Sequence, residues 1–300
     1  MTSISRKPVR LAMLGCGHMG KALLTALLPS VGKPESPISR ISVAVRNQAS
    51  SERLSAEFSH NTAPIDFTSN ANVKVAENAD AVLLSFPPYL VNDVLGAPSM
   101  QRVLERKLII SILAGISTGH IKDAIHGAGT DGKKRTEDKT TVIRAMPNIG
   151  TRIHESASLL AIPHNPADNR YLNLVSWIFQ HAGKVYPIPD SIFEAATGAS
   201  AVSYALTTVA TEAIVNQCVE EGIPRHTALH IASQYVRGAS PLVSTGMDPA
   251  HLGESLSAPG SITGQAISEF EQGNLRTMLA DTVFKAVQKA KSMGFQQHSG

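Results

Sequence analysis

The sequence is poor in charge and contains no long apolar run. Charged residues make up 17% of the 300 residues, against about 25% in ordinary globular proteins. No run approaches the ~20 apolar residues that span a bilayer, so we predict no membrane helix. The 27 basic and 24 acidic residues are spread along the chain without a basic stripe, and nucleic acid is not expected as a partner. So little charge favours an oligomer that covers part of its surface.

Cysteine is scarce, and no targeting segment is evident. Cys16 and Cys218 are too few for a disulfide framework or a cysteine zinc site, which suits a reducing cytosol. The first ten residues lack the basic start, apolar core and cleavage site of a secretory signal. We therefore expect a cytoplasmic protein.

Short β-rich runs alternate with helical patterns over the first half of the chain. The predicted strands are Val9–Leu14, Ile41–Arg46, Ala81–Phe86, Leu108–Leu113, Thr141–Ala145, Ala157–Ile162 and Gly183–Pro189. The helical patterns among them are Met19–Leu28, Ser117–Ile125 and Asp168–Gln180. This alternation predicts an α/β domain of Rossmann type over residues 1–189, with a doubly wound, mostly parallel sheet.

Helical periodicity replaces the β-branched clusters after residue 189. The strongest pattern is Ser203–Glu221, which Gly222 ends. Further helices are predicted at Arg225–Arg237, Asp248–Leu256, Ile262–Gln272 and Leu275–Met293. We therefore predict an all-α second domain over residues 190–300. A single helical domain of this size is too small to bury the apolar side of Ser203–Glu221, so we expect a homodimer.

A glycine-rich turn follows the first predicted strand and opens the first predicted helix. Residues 15–20 read Gly-Cys-Gly-His-Met-Gly. Glycine permits the tight turn at Gly15, lets the backbone approach a pyrophosphate at Gly17 and lets helix and strand pack closely at Gly20. Free N–H groups at the helix N-terminus attract the phosphate charge. This order of strand, turn and helix predicts a dinucleotide site, and the alternative is a glycine turn without a ligand.

The end of the second predicted strand indicates which dinucleotide binds. An acidic residue there would hold the ribose 2′-hydroxyl of NAD, but the chain has Arg46 and Asn47 and no acid before Glu52. The planar guanidinium of Arg46 suits a 2′-phosphate. We therefore predict NADPH, the alternative being that Arg46 is an ordinary surface arginine.

Two further motifs give only weak evidence for a phosphate or a metal site. Gly127–Lys134 has the spacing of a phosphate-binding loop, but Lys134 stands where a serine or threonine would bind magnesium. Gly127–Lys139 is therefore predicted to be a solvated loop. His226 and His230 have the spacing of a zinc pair, yet no third ligand is evident. No metal site is predicted.

Four later segments extend the glycine motif into a pattern that spans nearly the whole chain. They are Leu108–Gly115, Arg144–Asn148, Glu194–Thr197 and Ala258–Thr263. In order and spacing they resemble the pyrroline-5-carboxylate reductase family, from about Val9 to Met293. The resemblance implies an NADPH-linked Rossmann domain and a helical domain that interlocks with a second subunit, and it allows larger oligomers. It also implies hydride transfer to the cyclic imine of 1-pyrroline-5-carboxylate, which gives proline.

The motif matches suggest roles for individual residues. We expect the cofactor to contact Gly15, Gly17, His18, Met19, Gly20, Arg46, Asn47, Asn72, Ser85, Pro87, Ala114 and Asn148. We expect the substrate to contact Pro259, Gly260, Ser261 and Thr263, because the family's matching segment holds the substrate carboxylate on backbone N–H groups. The catalytic candidates are Thr263, as a partner of the imine nitrogen, and Tyr204, as a proton source. Glu212 on the same predicted helix is the alternative proton source. The alternatives are that Thr263 merely caps its helix and that Tyr204 is a packed aromatic.

The substrate end of the chain departs from the family's pattern. The family's Gly-Ser-Gly-Pro-Ala-Tyr segment falls on residues 201–206, which lack its glycines and proline. Ser261 replaces the second glycine of the carboxylate motif, and Pro87 stands where the family has a lysine. We therefore hypothesise slow or absent turnover of 1-pyrroline-5-carboxylate and better turnover of a related imine.

Two other functions fit part of the sequence. A β-hydroxyacid dehydrogenase shares the two-domain plan, but it needs a lysine on the long interdomain helix, and Ser203–Gly222 contains none. A catalytically silent NADPH-binding or interaction protein is the second alternative, because the substrate motifs have changed while the cofactor motifs remain.

Overall fold

A computed structural model describes residues 7–127 and 140–295 of the chain. Its strands are β1 (Val9–Leu14), β2 (Ile38–Val45), β3 (Ile65–Ser69), β4 (Ala81–Leu84), β5 (Leu108–Ser111), β6 (Thr141–Met146), β7 (Ser156–Ile162) and β8 (Gly183–Pro189). Its helices are α1 (His18–Leu27), α2 (Gln48–Glu57), α3 (Asn72–Glu77), α4 (Val91–Leu95), α5 (Pro98–Leu104), α6 (Thr118–His126), α7 (Leu172–Gln180), α8 (Phe193–Glu220), α9 (Arg225–Ser244), α10 (Pro249–Leu256), α11 (Ile262–Gln272) and α12 (Leu275–Phe295). The predicted loop at Gly127–Lys139 and the Gly127–Lys134 motif, apart from Gly127 itself, lie outside the described residues.

The described strands form one sheet in the order β3-β2-β1-β4-β5-β6-β7-β8. Strands β1 to β6 are parallel, β7 is antiparallel to β6, and β8 is parallel to β7. The strand order reverses beside β1, whose neighbours are β2 and β4. In open α/β sheets ligands bind at the carboxyl end of the strands at this reversal. The predicted Rossmann-type domain with a mostly parallel sheet is confirmed.

Both faces of the sheet are buried, and successive side chains of one strand alternate between them. On β1, Leu11 and Met13 belong to an apolar cluster with residues of α1, α2 and α7. Ala12 and Leu14 belong to a second cluster, with residues of α3 to α6. Burial on both faces explains why the central strands are almost continuously apolar in sequence.

Several elements were not predicted, because their sequences carry little apolar pattern. The edge strand β3 is only half-buried along its whole length and contains Asp66, Thr68 and Ser69. Helix α2 is mostly polar, with only Ser51 and Leu54 buried. Helices α3, α4 and α5 are each seven residues or shorter and were also missed. Helix α8 begins ten residues before the predicted start at Ser203, because residues 194–201 are mostly small and carry no apolar period.

The chain divides into two compact units, Met1–Ala196 with Ala290–Gly300, and Thr197–Lys289. The described residues of the second unit are helical, as predicted for the second domain. The domain border at residue 189 remains a prediction. Along the described chain, no helix has the length and apolar character that a membrane span requires.

The helical unit has a small core of its own. Its buried apolar cluster consists of Val215, Ala228 and Ala232, with Cys218 and Ile223 packed against it. Many large apolar side chains are exposed instead, among them Val209, Leu229, Tyr235, Phe270 and Phe284. Among its described residues, this unit therefore leaves more large apolar side chains exposed than it buries.

Candidate functional site

A cavity of about 700 Å³ lies at the carboxyl end of β1, where the strand order reverses. Its volume is within the range of about 300–1,000 Å³ that is usual for small-molecule and cofactor sites. Most of the predicted cofactor residues line it: Gly15, Gly17, His18, Met19, Gly20, Arg46, Asn47, Asn72, Ser85 and Pro87. The fold therefore brings together the glycine turn, the end of β2 and the segment after β4.

Gly15 forms the tight turn after β1. Its φ is +84°, and an added Cβ would lie 2.8 Å from the backbone nitrogen of Phe86. The Gly15 N–H donates to the Ala44 carbonyl at 2.8 Å, and Ser85 Oγ donates to the Gly15 carbonyl at 2.6 Å. The turn is thus fixed between the ends of β2 and β4, and only glycine fits there.

Gly17 and Gly20 have different surroundings. At Gly20 an added Cβ would lie 2.8 Å from Ser85 Oγ and 2.9 Å from Met13 Cε, so glycine allows α1 to pack closely on the sheet. At Gly17 nothing lies within 4 Å of an added Cβ, and the backbone is ordinary for any residue, with φ −74° and ψ −165°. Gly17 is the N-cap of α1 and has no side-chain acceptor for the N–H groups of the first turn. Those N–H groups are available to an anion.

Arginine side chains supply positive charge to the cavity. Arg46 follows β2 and Arg53 lies on α2, and both side chains are exposed and line the cavity. The described residues that line it include no aspartate or glutamate. Arg53 was not predicted as a site residue, because it lies on α2, whose polar sequence predicts no helix.

Asn47 has a structural role beside these arginines. It is the N-cap of α2, and its Oδ1 accepts a hydrogen bond from the Ser50 N–H at 2.9 Å. Asn47 and Ser50 both line the cavity. The Asn47 side chain therefore fixes the first turn of the helix that carries Arg53.

Cys16 lies inside the glycine turn and lines the same cavity. Burial raises the pKa of its thiol to about 12, against smaller opposing effects of the charges on Lys21 and Arg53. The thiol therefore stays protonated near neutral pH. The protonated thiol adds no negative charge to the cavity, whose arginines and backbone N–H groups suit an anion.

Two of the predicted cofactor residues lie outside the lining of this cavity. Ala114 follows β5, two residues after Ile112, which does line it. Asn148 is the N-cap of a short 3-10 turn after β6: its Oδ1 accepts from the Gly150 N–H and its Nδ2 donates to the Ala157 carbonyl, both at 3.0 Å. The Asn148 side chain thus stabilises its own loop, which packs against α1, and the cofactor contact of Asn148 remains a prediction.

The predicted substrate motif lies in the helical unit, at the start of α11. Ser261 is the N-cap of this helix: its Oγ accepts from the Gly264 N–H at 2.9 Å and donates to the Leu256 carbonyl at 3.2 Å. Thr263 is exposed. The alternative that Thr263 merely caps its helix is therefore wrong, because Ser261 is the cap. Pro259 and Gly260 are exposed as well, and Gly260 has a φ of +78°.

Tyr204, the second catalytic candidate, lies on α8 in the helical unit and is 38% exposed. Within residues 7–127 and 140–295, no group of three or more histidine, cysteine, aspartate or glutamate side chains is arranged to hold a metal ion. The rings of His226 and His230 lie 4.4 Å apart on α9.

A buried arginine joins two segments that carried the family resemblance. Arg144 of β6 donates through Nε and Nη2 to Asp190 Oδ1 at 3.0 and 2.8 Å, and through Nη1 to Glu194 Oε1 at 2.5 Å. Its guanidinium carbon lies 4.3 Å from the ring centre of Phe193. Burial lowers the pKa of Arg144, but the hydrogen bonds and charges of Glu194 and Asp190 outweigh burial and raise it above its usual value. This network, the Arg144 cluster, ties β6 to the start of α8.

Two family models match the chain. Residues 190–293 match the model described as pyrroline-5-carboxylate reductase dimerisation. Residues 10–115 match the model described as NADP oxidoreductase coenzyme F420-dependent. The second match contains β1, the glycine turn and Arg46, and the first contains all of α8 to α11.

Relatives match over almost the full length of the chain. It is 31% identical to a pyrroline-5-carboxylate reductase of Lophium arboricola, over 95% of this chain and 93% of that one. It is 30% identical to the pyrroline-5-carboxylate reductase of Neurospora crassa, over 97% and 94%. The crystal structure of a Plasmodium falciparum pyrroline carboxylate reductase with NADP bound has the same fold, with a TM-score of 0.76 at 20% identity over 95% of this chain and 98% of that one. From the identity to the first two relatives over nearly their whole length, the chain belongs to the pyrroline-5-carboxylate reductase family.

Proposed function

We propose that this protein transfers a hydride from NADPH to the C=N bond of a cyclic imine. The observation that carries the proposal is the cavity at the glycine turn, which combines open backbone N–H groups with two arginines and a lining free of carboxylates among the described residues. Family membership supports the imine as acceptor, and nothing comparable supports the β-hydroxyacid dehydrogenase alternative.

NADPH fits the residues that are present. The space beside Gly17 and the N-terminus of α1 suit a pyrophosphate, since the backbone N–H groups there have no side-chain acceptor. Arg46 and Arg53 are planar donors suited to the 2′-phosphate that distinguishes NADPH from NADH. Bound NADPH supplies the hydride.

The protein itself has to align the acceptor and provide a proton. The Thr263 hydroxyl is able to donate to a substrate carboxylate or to accept from an iminium N–H. Backbone N–H groups at the start of α11 suit the carboxylate, although one of them, the Gly264 N–H, already donates to Ser261 Oγ. Tyr204 is the proposed proton donor to the product nitrogen.

The test is NADPH oxidation by the purified protein with 1-pyrroline-5-carboxylate and a panel of cyclic imines. Imine-dependent oxidation supports the proposal. Faster turnover of another imine than of 1-pyrroline-5-carboxylate is expected from Ser261 and Tyr204, and fast proline formation would refute that changed specificity. NADPH binding without turnover of any imine would instead identify a silent NADPH-binding protein.

Replacing Arg46 by alanine should weaken NADPH binding and leave NADH binding unchanged. Losing a charge-assisted bidentate contact costs on the order of 1.5–3 kcal/mol, which is tenfold or more in affinity. Titrating Arg46→Ala and Arg53→Ala with both cofactors measures this, with the exposed Arg102, outside the cavity, as the matched control. Equal weakening for NADH and NADPH would contradict the assignment.

Replacing Thr263 by valine should lower kcat/KM by tenfold or more. This is the effect of losing one hydrogen bond to the reacting group, about 1.4 kcal/mol. Because Ser261 and not Thr263 caps α11, the variant should keep wild-type thermal stability, whereas Ser261→Ala should lose about 1 kcal/mol. Unchanged kinetics in folded Thr263→Val would refute the role of Thr263.

We also propose that the protein forms a homodimer through the helical unit, because the described part of this unit leaves more large apolar side chains exposed than it buries. We propose a cytoplasmic location as well, since two cysteines suit a reducing compartment. Light scattering at micromolar concentration should show a dimer or a larger assembly. Val209→Asp, on the exposed part of α8, should shift the protein toward monomer, while Ile153→Asp, equally exposed in the first unit, should not. A stable wild-type monomer would contradict the proposal.

A further inference from the structure

An aromatic side chain at the dinucleotide cavity has no role in the site described so far. Tyr89 lies in the short turn Pro88–Leu90 between β4 and α4. Its side chain lines the cavity, yet the residue is 71% exposed. An aromatic ring contributes most free energy to binding or folding when another surface covers it. An exposed ring at a cavity therefore suits a flat ligand group.

The cavity has two chemically different sides near this ring. The segment after β4 contributes Pro87, Tyr89, Leu90 and Val94, which are apolar or aromatic. The end of β2 contributes the two arginines. Because β2 and β4 are the two neighbours of β1, their carboxyl ends lie on either side of the glycine turn. A ligand bound at the turn therefore has cationic groups on one side and an apolar wall on the other.

We propose that Tyr89 stacks on the adenine ring of the dinucleotide. The inference rests on the proposed NADPH site. Adenine is attached to the same ribose that carries the 2′-phosphate. A phosphate held by Arg46 and Arg53 therefore brings adenine between the arginines and the apolar wall that contains Tyr89. The nicotinamide lies beyond the pyrophosphate, at the other end of the molecule. Stacking on an aromatic side chain suits any purine face and needs no hydrogen bond.

The test compares ligands with and without adenine. Binding of NADPH, adenosine 2′,5′-bisphosphate and reduced nicotinamide mononucleotide is measured for wild type, Tyr89→Ala and Tyr89→Phe. Tyr186→Ala is the matched control, because Tyr186 is an exposed tyrosine on β8 outside the cavity. Tyr89→Ala should weaken NADPH and the bisphosphate by about tenfold or more. Tyr89→Phe should bind both as the wild type does, and Tyr186→Ala should do the same. Reduced nicotinamide mononucleotide should bind Tyr89→Ala and wild type equally.

The other outcomes are decisive. Wild-type affinity of Tyr89→Ala for the bisphosphate would overturn the stacking role, and so would a loss that Tyr89→Phe shares. Weakened binding of reduced nicotinamide mononucleotide alone would place Tyr89 at the other end of the cofactor and overturn it too. If the wild type binds neither NADPH nor the bisphosphate, the proposed function itself fails, whereas wild-type NADPH binding that is indifferent to Tyr89 overturns this inference alone.

Discussion

Replacing Gly17 by valine should abolish NADPH binding at working concentrations and leave the fold intact. Nothing lies within 4 Å of an added Cβ, and the backbone of Gly17 is ordinary for any residue, so the protein itself tolerates a side chain. The side chain would instead fill the space in which the pyrophosphate approaches the start of α1. Losing two charge-assisted hydrogen bonds, each worth about 1.5–3 kcal/mol, weakens affinity by about a hundredfold or more.

Titration of NADPH and thermal unfolding together test this expectation. Gly15→Ala is the matched comparison, because Gly15 has a φ of +84° and an added Cβ would lie 2.8 Å from backbone atoms of the β4 end. Gly15→Ala should lower the unfolding temperature, since a strained backbone costs about 1–3 kcal/mol. Gly17→Val should not. Wild-type NADPH affinity in Gly17→Val would show that the ligand does not approach this turn.

Replacing Arg144 by methionine should lower the free energy of unfolding by about 3–5 kcal/mol, the usual cost of removing one partner from a buried ion pair. The side chains of Asp190 and Glu194 are only 19% and 27% exposed, and both would lose their cation. Denaturant unfolding measures the loss, and the triple variant Arg144→Met with Asp190→Asn and Glu194→Gln should recover part of it.

Arg10 offers the matched control for Arg144. It forms a comparable ion pair with Asp80 at 3.0 Å, but both side chains are nearly half exposed. Solvent screens exposed ion pairs, so they contribute little to stability, and Arg10→Met should have a small effect. If Arg144→Met destabilises the protein no more than Arg10→Met, the Arg144 cluster does not hold β6 to the start of α8.

Apolar runs and glycine spacing were enough to predict the sheet domain and its glycine turn. The central strands are buried on both faces, so a strand such as β1, which is apolar at every position except Arg10, is easily recognised. The positive φ of Gly15 and the backbone atoms close to it exclude other residues, and an added Cβ at Gly20 would contact the Ser85 and Met13 side chains. Most of those contacts are with the segment after β4, but the order of strand, glycine turn and helix extends over only a few neighbouring residues, and for that reason it is visible in the sequence.

Features that depend on distant residues were not predictable in this way. Arg144 contacts Asp190 and Glu194, which lie more than forty positions later in the chain. Arg53 enters the cavity from α2, whose polar sequence gives no apolar period. The capping role of Ser261 is local by contrast, because its Oγ accepts from the Gly264 N–H three residues later. A serine before a helix is a usual N-cap signal, but this serine was interpreted only as a lost glycine.

Hydride transfer from NADPH to an imine carbon is tested most directly with isotopically labelled cofactor. The purified protein is incubated with a cyclic imine and NADPH that carries deuterium on C4 of the nicotinamide, once on each face, and the reduced amine is examined by mass spectrometry and NMR. We expect one of the two cofactors to deliver deuterium to the former imine carbon, with none delivered by Gly17→Val. An amine without deuterium from either cofactor, or no amine from any imine of the panel, would contradict the proposed function.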